Sequence, residues 1–259
     1  MTVPVLELAG VTAGYGTTTI LRDVSVKVEA GRVVALLGAN GAGKTTTLRA
    51  AAGLLRVSSG EVRLGGTVVN RRQPSQRSAD GLCLIPEGRG VFPNLTVREN
   101  LVLQAPKHDA ASTIGKALDA FPALDGRLSD RAGSLSGGQQ QMLALSRCFT
   151  TEPSVVLLDE VSMGLAPIVV GQIFDALRRL ASTGVALLLV EQYVGKALEM
   201  ADDVYLLDRG EISFSGSVDE VDEDELVRRY LHVDPEAAEA LSAPEADRAG
   251  VPDTTAASY

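Results

Sequence analysis

A glycine-rich segment restricts the fold of this chain more than any other feature of the sequence. It reads GANGAGKT at 38–45 and directly follows an unbroken apolar run, Val33–Leu37. Runs of this kind form strands that are buried on both faces of a parallel sheet. The segment matches G-x-x-x-x-G-K-[ST], in which flexible glycines let backbone N–H groups converge on phosphates and the following helix turns its positive end towards them. The chain is therefore predicted to bind ATP or GTP between a strand and a helix.

The loop and the start of its helix supply the candidate nucleotide-binding residues. Lys44 places a positive charge where the β- and γ-phosphates would lie, and the Thr45 hydroxyl can ligate Mg²⁺. The full set is Gly38, Ala39, Asn40, Gly41, Ala42, Gly43, Lys44, Thr45 and Thr46.

A second segment, VVLLDE at 155–160, supplies two carboxylates at the end of an apolar strand. Asp159 is expected at the carboxyl edge of the sheet, near the Mg²⁺ that Thr45 would hold. Glu160 follows it, where a carboxylate can orient or deprotonate an attacking water. Apolar strands often end in acidic residues, so this interpretation depends on the phosphate-binding loop. Together the two segments predict nucleotide hydrolysis.

Strand-like and helical segments alternate around the loop, which predicts an α/β fold with a mainly parallel sheet. A short hairpin is expected over 61–69, with Gly65-Gly66 as its turn. The other predicted strands are Val5–Leu8, Val24–Val28, Val33–Leu37, Val155–Leu158 and Val185–Val190.

Two helices are predicted beside these strands. The first covers Thr45–Leu55 and is interrupted near Gly53. The second starts at Pro167, because proline is favoured at the first position of a helix, and ends at Thr183-Gly184. Its predicted apolar face consists of Ile168, Ile173, Leu177 and Leu180.

The region 91–150 has a helical pattern, with polar breaks predicted at 106–112 and 122–134. After Gly138, apolar residues recur at helical spacing. They are Met142, Leu145 and Phe149.

Residues 135–139 read LSGGQ and distinguish between classes of nucleotide-hydrolysing protein. Ser136 and the two glycines form a second anion-binding helix start, although one phosphate-binding loop already serves this chain's nucleotide. A second turn of this kind is explained if it closes over the nucleotide of another subunit. With this motif the chain resembles the ABC ATPase family over about residues 3–231.

The resemblance implies an α/β ATP-binding lobe, an N-terminal antiparallel β part and an inserted helical lobe, about 91–150, that docks to membrane subunits. It implies ATP and Mg²⁺ as cofactors and a Tyr15 ring stacked on adenine. In a head-to-tail dimer the LSGGQ signature would face the ATP of the partner subunit. Its residues are Leu135, Ser136, Gly137, Gly138 and Gln139.

Three positions depart from the common pattern of that family. Glu87 stands where most members have Gln between the two lobes, and its carboxylate can still reach Mg²⁺. Gln192 stands in place of a switch His; it can donate an amide N–H to the γ-phosphate but cannot become cationic. The segment SMGLAP at 162–167 replaces the usual Ser-Ala-Leu-Asp type. The candidate metal ligands are thus Thr45, Glu87 and Asp159, and the candidate catalytic residues are Glu160 and Gln192.

These departures are similar to the LivF branch of the family, the ATPases of branched-chain amino-acid importers, and the urea-importer ATPases are close. The resemblance implies work with integral membrane permeases, a second ABC ATPase and, indirectly, a solute-binding protein, at the cytoplasmic face of the cell membrane. An unlike partner ATPase is expected, and an identical one stays open. Two further alternatives are a soluble ABC ATPase outside transport and a regulatory subunit with weak hydrolysis.

Composition and charge bear on other classes of protein. The net charge of −9 argues against a nucleic-acid partner, because such partners usually bind basic surfaces. No signal peptide is recognised, and the apolar runs are shorter than the ~20 residues that cross a bilayer. Cys83 and Cys148 lack metal-ligand spacing, which fits a reducing cytoplasm. An acidic, Ala- and Pro-rich tail, 232–259, is predicted to be disordered beyond an ATPase domain over 1–231.

Overall fold

Two β-sheets and a set of helices make up the part of the chain that the structure describes. The computed structural model describes residues 3–88, 90–105, 109–191 and 194–220. The tail at 232–259, with its predicted disorder, lies outside the described residues. Within the described part of the chain, no helix is long and apolar enough to cross a bilayer.

The first sheet is antiparallel and has four strands in the order β2-β1-β4-β5. They are β1 (Leu6–Tyr15), β2 (Thr18–Val28), β4 (Val57–Leu64) and β5 (Thr67–Val68). Between β4 and β5, Gly65 and Gly66 have φ of +51° and +78°, the left-handed backbone that a two-residue hairpin turn needs. The predicted hairpin is confirmed, although β4 begins before residue 61. β1 and β2 extend past their predicted bounds into a Gly- and Thr-rich segment that has little hydrophobic alternation.

The second sheet has six strands in the order β10-β9-β3-β8-β7-β6. They are β3 (Val33–Leu37), β6 (Leu82–Ile85), β7 (Val155–Asp159), β8 (Ala186–Val190), β9 (Asp203–Asp208) and β10 (Glu211–Ser217). All neighbours are parallel except β9 and β10. Every residue of β3, β7 and β8 is buried, as their unbroken apolar runs predict. The predicted α/β fold with a mainly parallel sheet is confirmed.

The helix after the phosphate-binding loop, α1 (Lys44–Ala51), is shorter than the predicted Thr45–Leu55. It ends early because Gly53 takes a φ of +77° and because the buried Arg77 guanidinium donates to the last two carbonyl oxygens of the helix. Arg77 belongs to α2 (Pro74–Ala79), a short helix without a clear apolar period.

Among the described residues between β6 and β7 there are four α-helices, as the helical pattern of 91–150 predicts. They are α3 (Val97–Gln104), α4 (Ala110–Ala120), α5 (Gly137–Leu145) and α6 (Arg147–Thr150). Met142 and Leu145 are buried in α5, and Phe149 in α6 packs its ring edge-on against Phe121, with centroids 5.5 Å apart. The extent of an inserted helical domain stays a prediction.

The predicted polar break at 106–112 is partly wrong. Residues 110–112 form the first turn of α4, and 106–108 lie outside the described residues. The helix begins here because the Asp109 carbonyl accepts the N–H of Thr113, which closes the first turn. The break at 122–134 holds only two short 3₁₀ turns.

The last long helix, α7 (Pro167–Ser182), begins at Pro167 as predicted. Ile168 is wrongly assigned to its apolar face, since 75% of this residue is exposed. At 100° per residue, a position five residues before Ile173 lies about 140° around the helix from it. The buried face instead consists of Val170, Ile173, Phe174, Ala176, Leu177, Leu180 and Ala181. The remaining described helix is α8 (Val194–Leu198).

The six-stranded sheet separates two apolar cores, because alternate residues of a strand face opposite sides. In β3, Val33, Ala35 and Leu37 join the core formed with α3 to α7. Val34 and Leu36 join the core formed with β1, β2 and α1. The loop after β3 therefore emerges from a strand that is fixed on both faces.

Candidate active site

The phosphate-binding loop leaves β3 through a tightly enclosed glycine. Gly38 has a φ of +157°, and a Cβ built on it would lie 2.2 Å from the carbonyl oxygen of Leu207 in β9. Gly43, at the other end of the loop, has a φ of +114°, and its Cβ would lie 2.8 Å from the Leu21 side chain in β2. Only glycine satisfies both the backbone angle and the space at these two positions. The loop is thus held between strands of both sheets.

The Lys44 side chain folds back over this loop from the first turn of α1. Its ammonium donates to the carbonyl oxygens of Gly38 at 2.7 Å and Ala39 at 3.1 Å. Burial lowers the pKa of Lys44, while the charges of Glu160 and Asp159 act in the opposite direction. A phosphate in the loop would give this buried cation a closer anionic partner.

Thr45 and Asp159 meet where α1 begins and β7 ends. The Thr45 hydroxyl donates to Asp159 Oδ1 at 3.1 Å, and Asp159 is almost wholly buried. Burial raises the pKa of Asp159; the charges of Glu160 and Glu87 also raise it, while the Thr45 hydrogen bond and Arg49 lower it. The carboxylate is therefore a costly negative charge that a cation would stabilise.

These oxygens fit a Mg²⁺ ion that completes its shell from elsewhere. The Thr45 and Asp159 oxygens are neighbours, and Glu87, on the exposed segment after β6, is close enough for its charge to act on Asp159. Across the described ranges, no group of three or more Asp, Glu, His or Cys side chains could hold a metal by itself. Mg²⁺ commonly takes one or two protein oxygens together with water and substrate phosphates, which agrees with this arrangement.

Glu160 lies one residue beyond β7, facing the same space. Its N–H donates to the Val190 carbonyl at 2.9 Å, and its φ of +49° is unusual for a residue with a side chain. Its charge acts on both Lys44 and Asp159, which places the carboxylate near the loop. Gln192, the other candidate catalytic residue, lies outside the described residues, and its role stays a prediction.

Tyr15 and Arg49 form a pair beside the loop. Tyr15 ends β1 with 44% of its surface exposed, and its hydroxyl accepts a hydrogen bond from Arg49 Nη1 at 3.2 Å. This bond is the main reason why the pKa of Arg49 is raised. An exposed ring at this position is free to stack on a base. Arg49 has no place in the sequence predictions, although its spacing of four residues from Thr45 puts both on one face of α1.

The other loop residues differ in exposure. Asn40 and Gly41 are exposed, Ala39 is partly buried, and Ala42 and Thr46 are buried. The loop thus presents its middle to solvent and anchors its two ends.

The LSGGQ segment forms a capped helix start away from this loop. Ser136 and Gln139 exchange hydrogen bonds between side chain and backbone, in a capping box at the start of α5. A Cβ on Gly138 would lie 2.7 Å from Val169 Cγ1, so this glycine lets α5 approach α7 closely. Leu135 is buried and Ser136 is exposed. Among the described residues, no hydrogen bond or ion pair joins this signature to the phosphate-binding loop.

Comparison with known proteins agrees with these motifs. Residues 21–163, which include all three motifs, match the ABC transporter family. The chain is 42% identical over 210 residues to the high-affinity branched-chain amino acid transport ATP-binding protein BraG of Pseudomonas aeruginosa, which covers 80% of this chain and 90% of that protein. It is 38% identical over 224 residues to the probable branched-chain amino acid transport ATP-binding protein LivF of Archaeoglobus fulgidus. This match covers 85% of this chain and 95% of that protein. A solved structure of the ATP-binding subunit of an ABC transporter matches with a TM-score of 0.76 and 26% identity, covering 92% of this chain and all of that one.

Proposed function

Since the chain belongs to the ABC transporter family, we propose that its ATP hydrolysis drives an importer of branched-chain amino acids. Members of this family bind and hydrolyse ATP, and the site has the parts that this reaction needs. The observation that carries the proposal is the contact between Thr45 and Asp159, because it joins the phosphate-binding loop to the carboxylates at the end of β7. The import of branched-chain amino acids is supported by the similarity to BraG and LivF over most of their lengths.

In the proposed reaction, the loop and Lys44 bind the β- and γ-phosphates through backbone N–H groups and one ammonium. Mg²⁺, held by Thr45, Asp159 and Glu87, would supply positive charge against the phosphates. Glu160 would accept a proton from the attacking water.

The ring of Tyr15 would stack on the adenine, with Arg49 fixing its hydroxyl. The Gln192 amide would donate to the γ-phosphate.

The complete site is proposed to need two subunits. The signature helix start carries backbone donors, yet it has no hydrogen bond to this chain's own phosphate-binding loop among the described residues. We assign it to the ATP of a partner, most simply an unlike ABC ATPase. The helical part at about 91–150 would dock to integral membrane permeases at the cytoplasmic face of the membrane. A solute-binding protein would select the solute, and the tail at 232–259 would be an appendage to the ATPase domain of 1–231.

The hydrolysis part of the proposal is tested with the full-length chain and Mg-ATP. Glu160→Gln keeps the size of the side chain and removes the base, so we expect turnover to fall by about 100-fold or more. Glu199→Gln is a matched control, because Glu199 is an exposed acid that pairs with Lys196 on α8. Unchanged turnover in Glu160→Gln would show that Glu160 is not the base.

The solute is tested in proteoliposomes that contain the chain, its permeases and its solute-binding protein. We expect ATP-dependent uptake of leucine, isoleucine and valine, which Glu160→Gln abolishes. Uptake of urea without leucine would instead assign the chain to the related urea importers. Hydrolysis without membrane partners or uptake would favour an ATPase outside transport.

A further inference from the structure

The ends of β7 and β8 are joined beyond their regular pairing. The two strands are parallel neighbours, and Asp159 pairs with Val190 at the last position of the ladder. The Glu160 N–H continues the ladder by donating to the Val190 carbonyl at 2.9 Å. The chain then leaves the sheet, because Glu160 adopts a left-handed φ of +49°. This turn decides where the Glu160 carboxylate lies.

The Glu160 side chain does little to hold itself in place. Among the described residues its carboxylate makes no hydrogen bond or ion pair. A left-handed backbone is unfavourable for a residue with a Cβ, and it persists only where surrounding contacts hold it. The position of Glu160 therefore depends on contacts of the residues that follow it.

Those contacts centre on a buried carboxylate, Glu191, which follows β8 directly. Ser162 is fully buried, and Glu191 is 2% exposed. The Ser162 N–H donates to Glu191 Oε1 at 3.1 Å, and the Ser162 hydroxyl donates to Oε2 at 2.5 Å. Each oxygen of Glu191 thus accepts one donor from the same residue.

We propose that Glu191 is a positioning residue for hydrolysis, which holds Ser162 and thereby fixes the turn that carries Glu160. The proposal rests on the proposed role of Glu160 as the base. Backbone and side chain of Ser162 are both bound, so the turn is fixed on its far side by Glu191 and on its near side by Val190. The intervening Val161 is 1% exposed and packs into the core, which leaves the segment little freedom.

The chemistry of this contact requires a carboxylate. A carboxylate accepts two hydrogen bonds from one residue, one on each oxygen, whereas an amide has one acceptor and one donor end. In Glu191→Gln, the amide N–H₂ would face either the Ser162 N–H or its hydroxyl, so one contact is lost or must reverse. Ser162→Ala removes the hydroxyl alone and leaves the backbone bond.

Steady-state hydrolysis by the full-length chain tests the proposal. We expect Glu191→Gln and Ser162→Ala to lower kcat by about 10-fold or more, because small displacements of a catalytic group are costly. The KM for ATP should stay within about twofold, since neither residue touches the phosphate-binding loop among the described contacts. The double variant should lose no more activity than the more affected single variant, because both changes break the same contact.

Two controls separate the possible causes of failure. Ser146→Ala removes another fully buried serine hydroxyl, which donates to the Leu143 carbonyl at 2.6 Å at the far end of α5, and it should keep the wild-type kcat. Glu160→Gln is measured in parallel. If the wild type hydrolyses ATP and Glu160→Gln does not, yet both Glu191→Gln and Ser162→Ala keep kcat within twofold, Glu191 has no positioning role.

Other results are equally decisive. If Glu160→Gln retains wild-type turnover, the proposed base is wrong, whatever the activities of Glu191→Gln and Ser162→Ala. If Glu191→Gln does not fold, Ser162→Ala still tests the contact, because it removes a single atom. Additive losses in the double variant, with KM raised alongside, would mean that the pair only stabilises the fold, and would overturn the proposal.

Discussion

Replacing Arg77 should destabilise the fold more than replacing any nearby surface arginine, because its charged guanidinium makes buried hydrogen bonds to backbone carbonyls. The residue is 2% exposed. Its guanidinium donates to the carbonyls of Ala51 at 2.6 Å and Ala50 at 2.9 Å, which are the last residues of α1. Longer bonds reach the carbonyls of Arg72 at 3.3 Å and Asn70 at 3.4 Å. One side chain therefore satisfies carbonyl groups that a helix end leaves without partners.

The size of the loss in Arg77→Met follows from these distances. Hydrogen bonds from a charged donor contribute about 1.5–3 kcal/mol each, and losing one leaves a buried acceptor unsatisfied. The two short bonds therefore account for about 3–6 kcal/mol. Burial lowers the pKa of Arg77, which reflects the cost of desolvating its charge, and removing that cost offsets part of the loss. We expect Arg77→Met, which keeps the apolar stem, to lower the free energy of unfolding by about 3 kcal/mol.

Urea denaturation of the full-length chain measures this loss. Arg72→Met is the matched control, because Arg72 is on the same segment with 41% of its side chain exposed and pairs with Asp80 at the surface. An exposed ion pair contributes about 0–1 kcal/mol, so this variant should stay close to the wild type. Since α1 begins with Lys44, Arg77→Met should also weaken ATP binding. If Arg77→Met and Arg72→Met lose the same small amount, the buried bonds do not stabilise α1.

Four further variants test the site directly. Asp159→Asn should make the Mg²⁺-free protein more stable than the wild type at pH 7. In the wild type, the cost of ionising Asp159 appears as pH rises through its raised pKa. Thermal melting should therefore show that the stability difference between the variant and the wild type vanishes below about pH 4. Added Mg²⁺ should stabilise the wild type and not this variant. Gly38→Ala should prevent ATP binding, because its Cβ would lie 2.2 Å from a carbonyl oxygen. Gly41→Ala has open space around its Cβ and only a strained φ of +82°. In calorimetry it should bind ATP more weakly than the wild type but more tightly than Gly38→Ala. Glu87→Gln should strengthen ATP binding in EDTA by roughly threefold, a small effect because the exposed charge is screened, and equal affinities would mean that Glu87 does not face the phosphates.

The sequence predicted the parts of the site that depend on local patterns. The loop at 38–45, the strand before it and the acids at the end of β7 are each encoded within a few adjacent residues. Tyr15 and Arg49 could not be paired in this way, because they lie on β1 and α1 and meet only when the two sheets pack. The end of α1 was missed for a similar reason, since the residue that caps it comes from α2.

Hydrophobicity alone also does not predict environments that tertiary packing decides. Ile168 has an apolar side chain, which is typical of a core residue, but it lies on the outer side of α7. Glu191 has a carboxylate side chain, which is typical of a surface residue, but it is buried against Ser162. Ile168 is exposed because of its angular position on α7, whereas Glu191 is buried because it directly follows the buried strand β8.

Charge explains why this site should favour nucleotide bound to Mg²⁺ over free nucleotide. Three carboxylates, Glu87, Asp159 and Glu160, act on the space beside the loop, while the described cations there are Lys44 and Arg49. ATP adds several negative charges to a site that is already acidic, and burial reduces the screening by water. A glutamine at 87, as in most of the family, would remove one of these charges. Because this chain has a glutamate there, we expect Mg²⁺ to offset negative charge on both the phosphates and the protein, and so to raise the affinity for ATP as well as support its hydrolysis.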